Sequence, residues 1–171
     1  MTDLRGIGDI AMIRAMDIDI RAAVPGDAAV ITDMALSLTG GIIERTGMKH
    51  FDLDRAGTAA LCARLIESGD YLALLAVRGG RVIGYAGISE SCALYAGGVF
   101  GTLQEFYVVP DYREAGVGGA LLAAVREHAR TGGWVRIELC TPPLPEFART
   151  LTFYERHGFE VTGGRKMRAI L

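Results

Sequence analysis

Hydrophobic and polar positions along the chain alternate between two periods. Ile18-Asp19-Ile20-Arg21-Ala22-Ala23 steps in twos and reads as a strand. Pro25-Gly26-Asp27 then leads into a helix carrying Val30, Ile31, Met34, Leu36 and Leu38, and Thr39-Gly40-Gly41 is expected to stop it. Ile42 to Phe51 mixes glycine, charge and apolar residues and reads as a connection. A second helix is expected from about Asp54 to Ser68, with Leu61, Cys62, Leu65 and Ile66 on its buried side and Gly69-Asp70 at its end. Tyr71–Val77 and Arg81–Ser89 are apolar strands joined at Arg78-Gly79-Gly80, a hairpin signature. Gly84 and Gly87 interrupt the second of them, as a bulge or a close backbone approach would. Glu90–Gly98 reads as a loop and Val99–Val109 as the next strand.

Behind that strand, Pro110-Asp111 breaks the run, and the glycine-rich stretch Arg113-Glu114-Ala115-Gly116-Val117-Gly118-Gly119 opens a helix. Val117, Leu121, Ala124, Val125 and Ala129 keep helical spacing until Thr131-Gly132-Gly133. Trp134–Cys140 is again a strand, and a helix between two strands without a hairpin turn makes that pair parallel. Thr141-Pro142-Pro143-Leu144-Pro145 is a rigid connection, because proline fixes φ and removes a donor. A last helix, Phe147–His157, ends at Gly158, and Phe159–Thr162 with Lys166–Ile170 are expected as a hairpin around Gly163-Gly164. Residues 1–17 lack periodicity and read as a poorly ordered extension, with Met12 or Met16 as alternative starts. The pattern implies one α/β domain over residues 18–171.

Composition narrows the function classes. A chain of 171 residues, half of them hydrophobic, can bury a substantial core as a single domain. Its formal net charge of −2 comes without a basic cluster, so no nucleic-acid or membrane partner is expected. No apolar run of membrane-spanning length and no signal-peptide pattern stand out. The three cysteines, Cys62, Cys92 and Cys140, are far apart and lack metal-ligand spacing, so no metal is expected and a reducing cytoplasm is the simplest setting. Cys140 ends a strand and is read as a small buried residue, with a nucleophilic role as the minor alternative.

Glycines at the mouth of a helix have a physical use: the first N–H groups have no intrahelical partner, and the helix dipole adds partial positive charge. Gly116, Gly118 and Gly119 let the backbone approach an anion such as phosphate, and Arg113 offers a charge-assisted contact. The alternative is a plain glycine connection. A P-loop is excluded by Gly119-Ala120, which has no Lys-Ser or Lys-Thr. A dinucleotide fingerprint lacks its third glycine at Leu121, although Glu138 falls about twenty residues on.

Arg113-Glu114-Ala115-Gly116-Val117-Gly118, preceded by Tyr107-Val108-Val109-Pro110-Asp111-Tyr112, resembles the acyl-CoA signature of the GCN5-related N-acetyltransferase (GNAT) superfamily. Phe153-Tyr154-Glu155-Arg156-His157-Gly158-Phe159 resembles a second element of that family, so the likeness runs from about Ile18 to the C-terminus. Glu114 departs from it, standing where the family usually has glycine. The resemblance implies a mixed, mainly antiparallel sheet with helices on both faces and a splayed parallel strand pair that admits acetyl-CoA. Backbone groups at Phe106 and Val108, beside Tyr107, would pair with the pantetheine amides. Arg113, Glu114, Ala115, Gly116, Val117, Gly118 and Gly119 would surround the pyrophosphate.

The activity implied is acetyl transfer from acetyl-CoA to a primary amine of a small molecule or peptide, directly in a ternary complex. Tyr154 matches the tyrosine that commonly lies beside the CoA sulfur and is the candidate general acid. Glu105 is the candidate base, directly or through water, with an ion-pair role as the alternative; strand alternation is expected to put Leu103, Glu105 and Tyr107 on one face. The connection between the first two helices walls the acceptor site in the family, which makes Glu44, Arg45, Lys49 and His50 candidate readers of the substrate. A non-catalytic acyl-CoA sensor of the same fold and a dinucleotide-binding protein are the rival readings, and a homodimer is left open.

Overall fold

The computed structural model describes residues 17–48, 53–163 and 166–169. The expected N-terminal extension up to residue 16 lies outside them, as do Lys49 and His50. The chain divides into two compact units, Met1–Cys140 and Thr141–Leu171.

The first unit carries a five-stranded sheet in the order β1-β2-β3-β4-β5, with β1 Asp19–Ala22, β2 Leu72–Arg78, β3 Arg81–Ala93, β4 Gly98–Val108 and β5 Ile137–Leu139. Neighbours are antiparallel except β4 and β5, which are parallel. The helices are α1 Ala28–Thr46, α2 Arg55–Ser68 and α3 Val117–Thr131. Ala28, Ile31 and Met34 of α1 and Cys62 of α2 pack with Ala73, Leu75 and Tyr85 of the sheet. The α3 helix buries Val117, Leu121, Leu122 and Val125. A Cβ at Gly84 would meet Leu121, and Gly84 alternates with Tyr85, so α3 covers the other face.

Local chemistry fixes the helix ends. The Asp54 carboxylate accepts from Ala56 N–H (3.2 Å) and Gly57 N–H (2.6 Å), capping α2. The Arg55 guanidinium grips Asp33 in bidentate fashion (2.7 and 3.0 Å), tying the start of α2 to α1. Arg21 does the same to Asp27 (2.7 and 2.8 Å), whose carboxylate also takes the Val24 N–H (2.9 Å).

Several elements differ from the sequence expectation. Thr39-Gly40-Gly41 does not stop α1, which runs on to Thr46 because Ile42 is buried, and ends at Gly47 with φ 69°. Two interior glycines cost about 1 kcal/mol each relative to alanine, and tertiary burial overrides them. With the turn Pro25–Asp27, α1 makes a 22-residue helical segment that meets the length and composition of a membrane span, although the sequence led to no such expectation. Its Ala28, Ile31, Thr32, Met34 and Ile42 are buried within the unit. Glu90–Ala93 is strand rather than loop, since Ser89–Ala93 pair with Gly98–Thr102. The expected strand Trp134–Cys140 shortens to Ile137–Leu139. Ahead of it, the Trp134 indole fills the space that a side chain at Gly101 would occupy and donates to Glu90 Oε2 (2.8 Å).

In the second unit, α4 spans Ala148–Arg156 and Gly158 turns at φ 76°. The expected terminal hairpin is absent among the described residues, where 159–163 and 166–169 form no strand. Val161 and Met167 are exposed, so alternation there has no face to bury.

Candidate active site

The site begins where β4 outruns β5. Only Gly101–Leu103 pair with Ile137–Leu139; from Gly84↔Val108 to Gly87↔Glu105 the strand pairs with β3 and, among the described residues, with no other strand. Val109 N–H donates to the Ile83 carbonyl (2.9 Å), so its main chain faces β3. By alternation the main chains of Val108 and Phe106 face the edge that β5 leaves. The Val108 carbonyl accepts from Arg113 Nε (2.9 Å), and the guanidinium lies 5.6 Å from the Tyr107 ring centroid. Arg113 therefore braces the turn against the strand.

That turn delivers a helix N-terminus to the same edge. Pro110–Tyr112 is a single turn, Glu114 takes φ 63° and Gly116 takes φ 81° as the residue before α3. A left-handed conformation costs a side-chain-bearing residue roughly 1–2 kcal/mol, which is what a glycine at position 114 would spare. Ala115 is half-buried between them. The first bond within the helix is Ala120 N–H to the Gly116 carbonyl (3.0 Å), and no side chain caps the end. Val117, Gly118 and Gly119 thus present N–H groups with no acceptor in the helix. This donor set fits an anion of the pyrophosphate kind that the resemblance implies.

Glu105 faces α1 and α2, opposite Gly87. The expected shared face for Leu103, Glu105 and Tyr107 is only partly formed, because a register shift at Gly87/Ile88 pairs Leu103 with Ile88 and turns it away. Tyr71 donates its hydroxyl to Glu105 Oε2 (2.7 Å). A Cβ at Gly87 would sit on the Tyr71 hydroxyl and 2.7 Å from Glu105 Oε2, so the missing side chain makes room for this pair.

Around Glu105 lies a cavity of about 110 Å³. Its polar lining is Glu105, Tyr71, Tyr85, Thr32 and Thr58; Ile31, Ala35, Leu61 and Leu65 supply apolar walls. Burial pushes the Tyr71 and Tyr85 phenols well above the usual range, and the Glu105 carboxylate pushes them further. Both stay protonated and able to donate. The Cys62 thiol is also raised, first by burial and then by Glu105, so it stays a thiol rather than a nucleophile. Thr32 Oγ1 and Tyr85 Oη are buried without a hydrogen-bond partner.

Elsewhere, Glu44 and Arg45 stand exposed on the last turn of α1. Cys140 is exposed, against the expectation of a buried residue, because β5 stops at Leu139 before reaching it. Glu138, the acidic residue of the dinucleotide reading, is ion-paired with Arg136 (2.8 Å). In the second unit Tyr154 is buried, its ring edge-on to Phe153 (5.3 Å) and Phe159 (5.5 Å). Burial raises its phenol, so the hydroxyl holds its proton at ordinary pH. Sequence reasoning missed Tyr71, Tyr85 and Thr32; the two tyrosines sit in apolar strand runs and Thr32 in a helix, and no local pattern joins them to Glu105.

Known proteins resemble this chain in sequence and in fold. The acetyltransferase (GNAT) domain family matches residues 69–161, more than half of the chain. An uncharacterized N-acetyltransferase of Bacillus subtilis (strain 168), YhfO, is 29% identical over 111 residues, 65% of this chain and 73% of that protein. Among solved structures, the aminoglycoside N-acetyltransferase AAC(6')-Iy in complex with CoA superposes with a TM-score of 0.72 at 20% identity, over 90% of this chain and 94% of that one. A ribosomal-protein-alanine N-acetyltransferase from Brucella melitensis biovar Abortus 2308 gives a TM-score of 0.67 at 20% identity, over 90% and 99%.

Proposed function

The chain belongs to the acetyltransferase (GNAT) family, and on that premise we propose that it moves an acetyl group from acetyl-CoA directly to a primary amine of a small molecule or peptide. The carrying observation is the juxtaposition on β4: an edge left by β5, an uncapped helix N-terminus beside it, and Glu105 on the face of the α1–α2 cavity.

Bound acetyl-CoA supplies the acetyl thioester. The N–H groups of Val117, Gly118 and Gly119 hold its pyrophosphate, while Arg113 keeps the turn against Val108. The main chains of Phe106 and Val108 run along the pantetheine as an added strand would, and the Val108 N–H is the donor for the carbonyl oxygen as charge develops. One N–C bond forms and one C–S bond breaks; the acceptor ammonium gives up two protons, one that reaches the departing sulfur after attack and one that must leave before it. Because an amine titrates near 10.4 and a thiol near 8.5, removing that proton is the main task. Glu105 accepts it, directly or through a water, and Tyr154 gives its hydrogen bond to the departing sulfur. Tyr154→Phe should lower turnover by about 10²-fold with acetyl-CoA affinity intact; unchanged kcat would remove Tyr154 from the reaction. The structural neighbours are named for aminoglycoside and ribosomal-protein alanine acceptors, both amines, and those acceptors are theirs.

Thermal melts test the donor half. At about a hundred times the dissociation constant, a specific ligand adds roughly 2.7 kcal/mol of stability. A shift with acetyl-CoA and with CoA, but none with NAD, is expected. A shift with NAD alone would replace this reading by the dinucleotide one.

A further inference from the structure

We propose that the α1–α2 cavity is the acceptor subsite and that it takes a compact primary monoamine on an apolar body, its ammonium received by Glu105, Tyr85 Oη and Thr32 Oγ1. This deepens the acetyltransferase reading and rests on it.

Three observations carry the proposal. First, Thr32 behaves unlike the other threonines of its helix. Thr39 and Thr46 return their hydroxyls to carbonyls four residues back (2.9 and 2.7 Å), whereas Thr32 Oγ1, fully buried, has no partner and lines the cavity. Second, Tyr85 is also fully buried, and its hydroxyl is likewise unpartnered in the same cavity. Buried hydroxyls are ordinarily satisfied, and two orphans facing one space mark a place where a ligand completes the bonding. Third, their company is anionic: Glu105, already fixed by Tyr71 at 2.7 Å, contributes a carboxylate. An ammonium has three donors and no acceptor, and three oxygens acting as acceptors is what this lining offers it.

The walls decide what the amine is attached to. Ile31, Ala35 and Leu65 offer no polar group, so a second charge close enough to the first to stay within the cavity would be buried without compensation. Leu61, at 42% exposure, forms the rim through which the body would project. The cavity suits a short alkyl or aralkyl amine and disfavours polycations.

The test pairs binding with kinetics. Isoamylamine and phenethylamine are compared with 1,4-diaminobutane and spermidine at saturating acetyl-CoA, and isoamylamine binding to the CoA-saturated protein is measured by calorimetry. Monoamines should lead in kcat/KM by about tenfold or more, the equivalent of 1.4 kcal/mol. Thr32→Val and Tyr85→Phe should each raise the isoamylamine KM and Kd by about tenfold without lowering Tm, since neither hydroxyl has a partner to lose. Leu61→Trp, at the rim, should block isoamylamine without unfolding the core. The acetyl-CoA KM should stay put in all three. Isoamylamine Kd unchanged in Thr32→Val and Tyr85→Phe, or a preference for the diamines, overturns the proposal. Isoamylamine binding that weakens in these variants, in a protein that transfers no acetyl group, upholds the subsite and sinks the catalytic reading alone.

Discussion

Glu105→Gln is expected to lower kcat by about 10²–10⁴-fold while leaving acetyl-CoA affinity unchanged. Glutamine keeps the shape, and its carbonyl oxygen can still accept from the Tyr71 hydroxyl that now sits 2.7 Å from Glu105 Oε2. Basicity and negative charge are what disappear. The surviving activity should therefore depend on amine that has lost its proton in solution. That fraction rises about tenfold per pH unit below an amine pKa near 10.4, so the variant's rate should climb with pH where the parent's is flatter. A pH–rate series on both proteins checks this. Undiminished turnover in the variant would reduce Glu105 to a partner that fixes Tyr71.

Gly87→Ala should do nearly as much damage through packing. The added methyl would land on the Tyr71 hydroxyl and close to Glu105 Oε2, two half-buried groups already bonded to each other. Overpacking of this kind costs about 1–3 kcal/mol, and a domain of this size loses about 2–4 °C of Tm per kcal/mol. Relief requires Tyr71 or Glu105 to move, so kcat should fall with Tm. Gly40→Ala is the matched control: nothing lies within 4 Å of its would-be Cβ, and an interior helical alanine should stabilise by roughly 0.8–1.0 kcal/mol. Melting curves and initial rates of the two variants separate the cases, and a Gly87→Ala protein as active and stable as the parent would show that Tyr71 and Glu105 are not held in place by this contact.

What could be read from the sequence follows from the range of the interactions involved. Strand, glycine turn and helix from Leu103 to Arg130 were legible because Pro110, Gly116 and the spacing of Val117, Leu121 and Val125 act locally. Gly40-Gly41 misled because a helix interior tolerates glycine when a later residue, Ile42, has a core to enter. Glu90–Ala93 hid its strand character behind polar side chains that bond across the sheet, such as Ser91 with Thr102 (3.3 Å). The Glu105 pocket was beyond reach for another reason. Tyr71 and Glu105 are 34 residues apart, and their meeting depends on the registers of β2, β3 and β4 and on the bulge that turns Leu103 away. A strand period of two cannot foresee a bulge. Glu105 itself was singled out, while its companions Thr32, Tyr71 and Tyr85 were not.

The most direct test of acetyl-CoA-dependent amine acetylation is thiol release measured together with the mass of the amine product. With isoamylamine and acetyl-CoA, free thiol and acetylated amine should appear in equal amounts, and both should collapse with Glu105→Gln. An acetyl-CoA-dependent melting shift with no thiol released across a broad amine panel would contradict the account and leave a protein that binds the donor without using it.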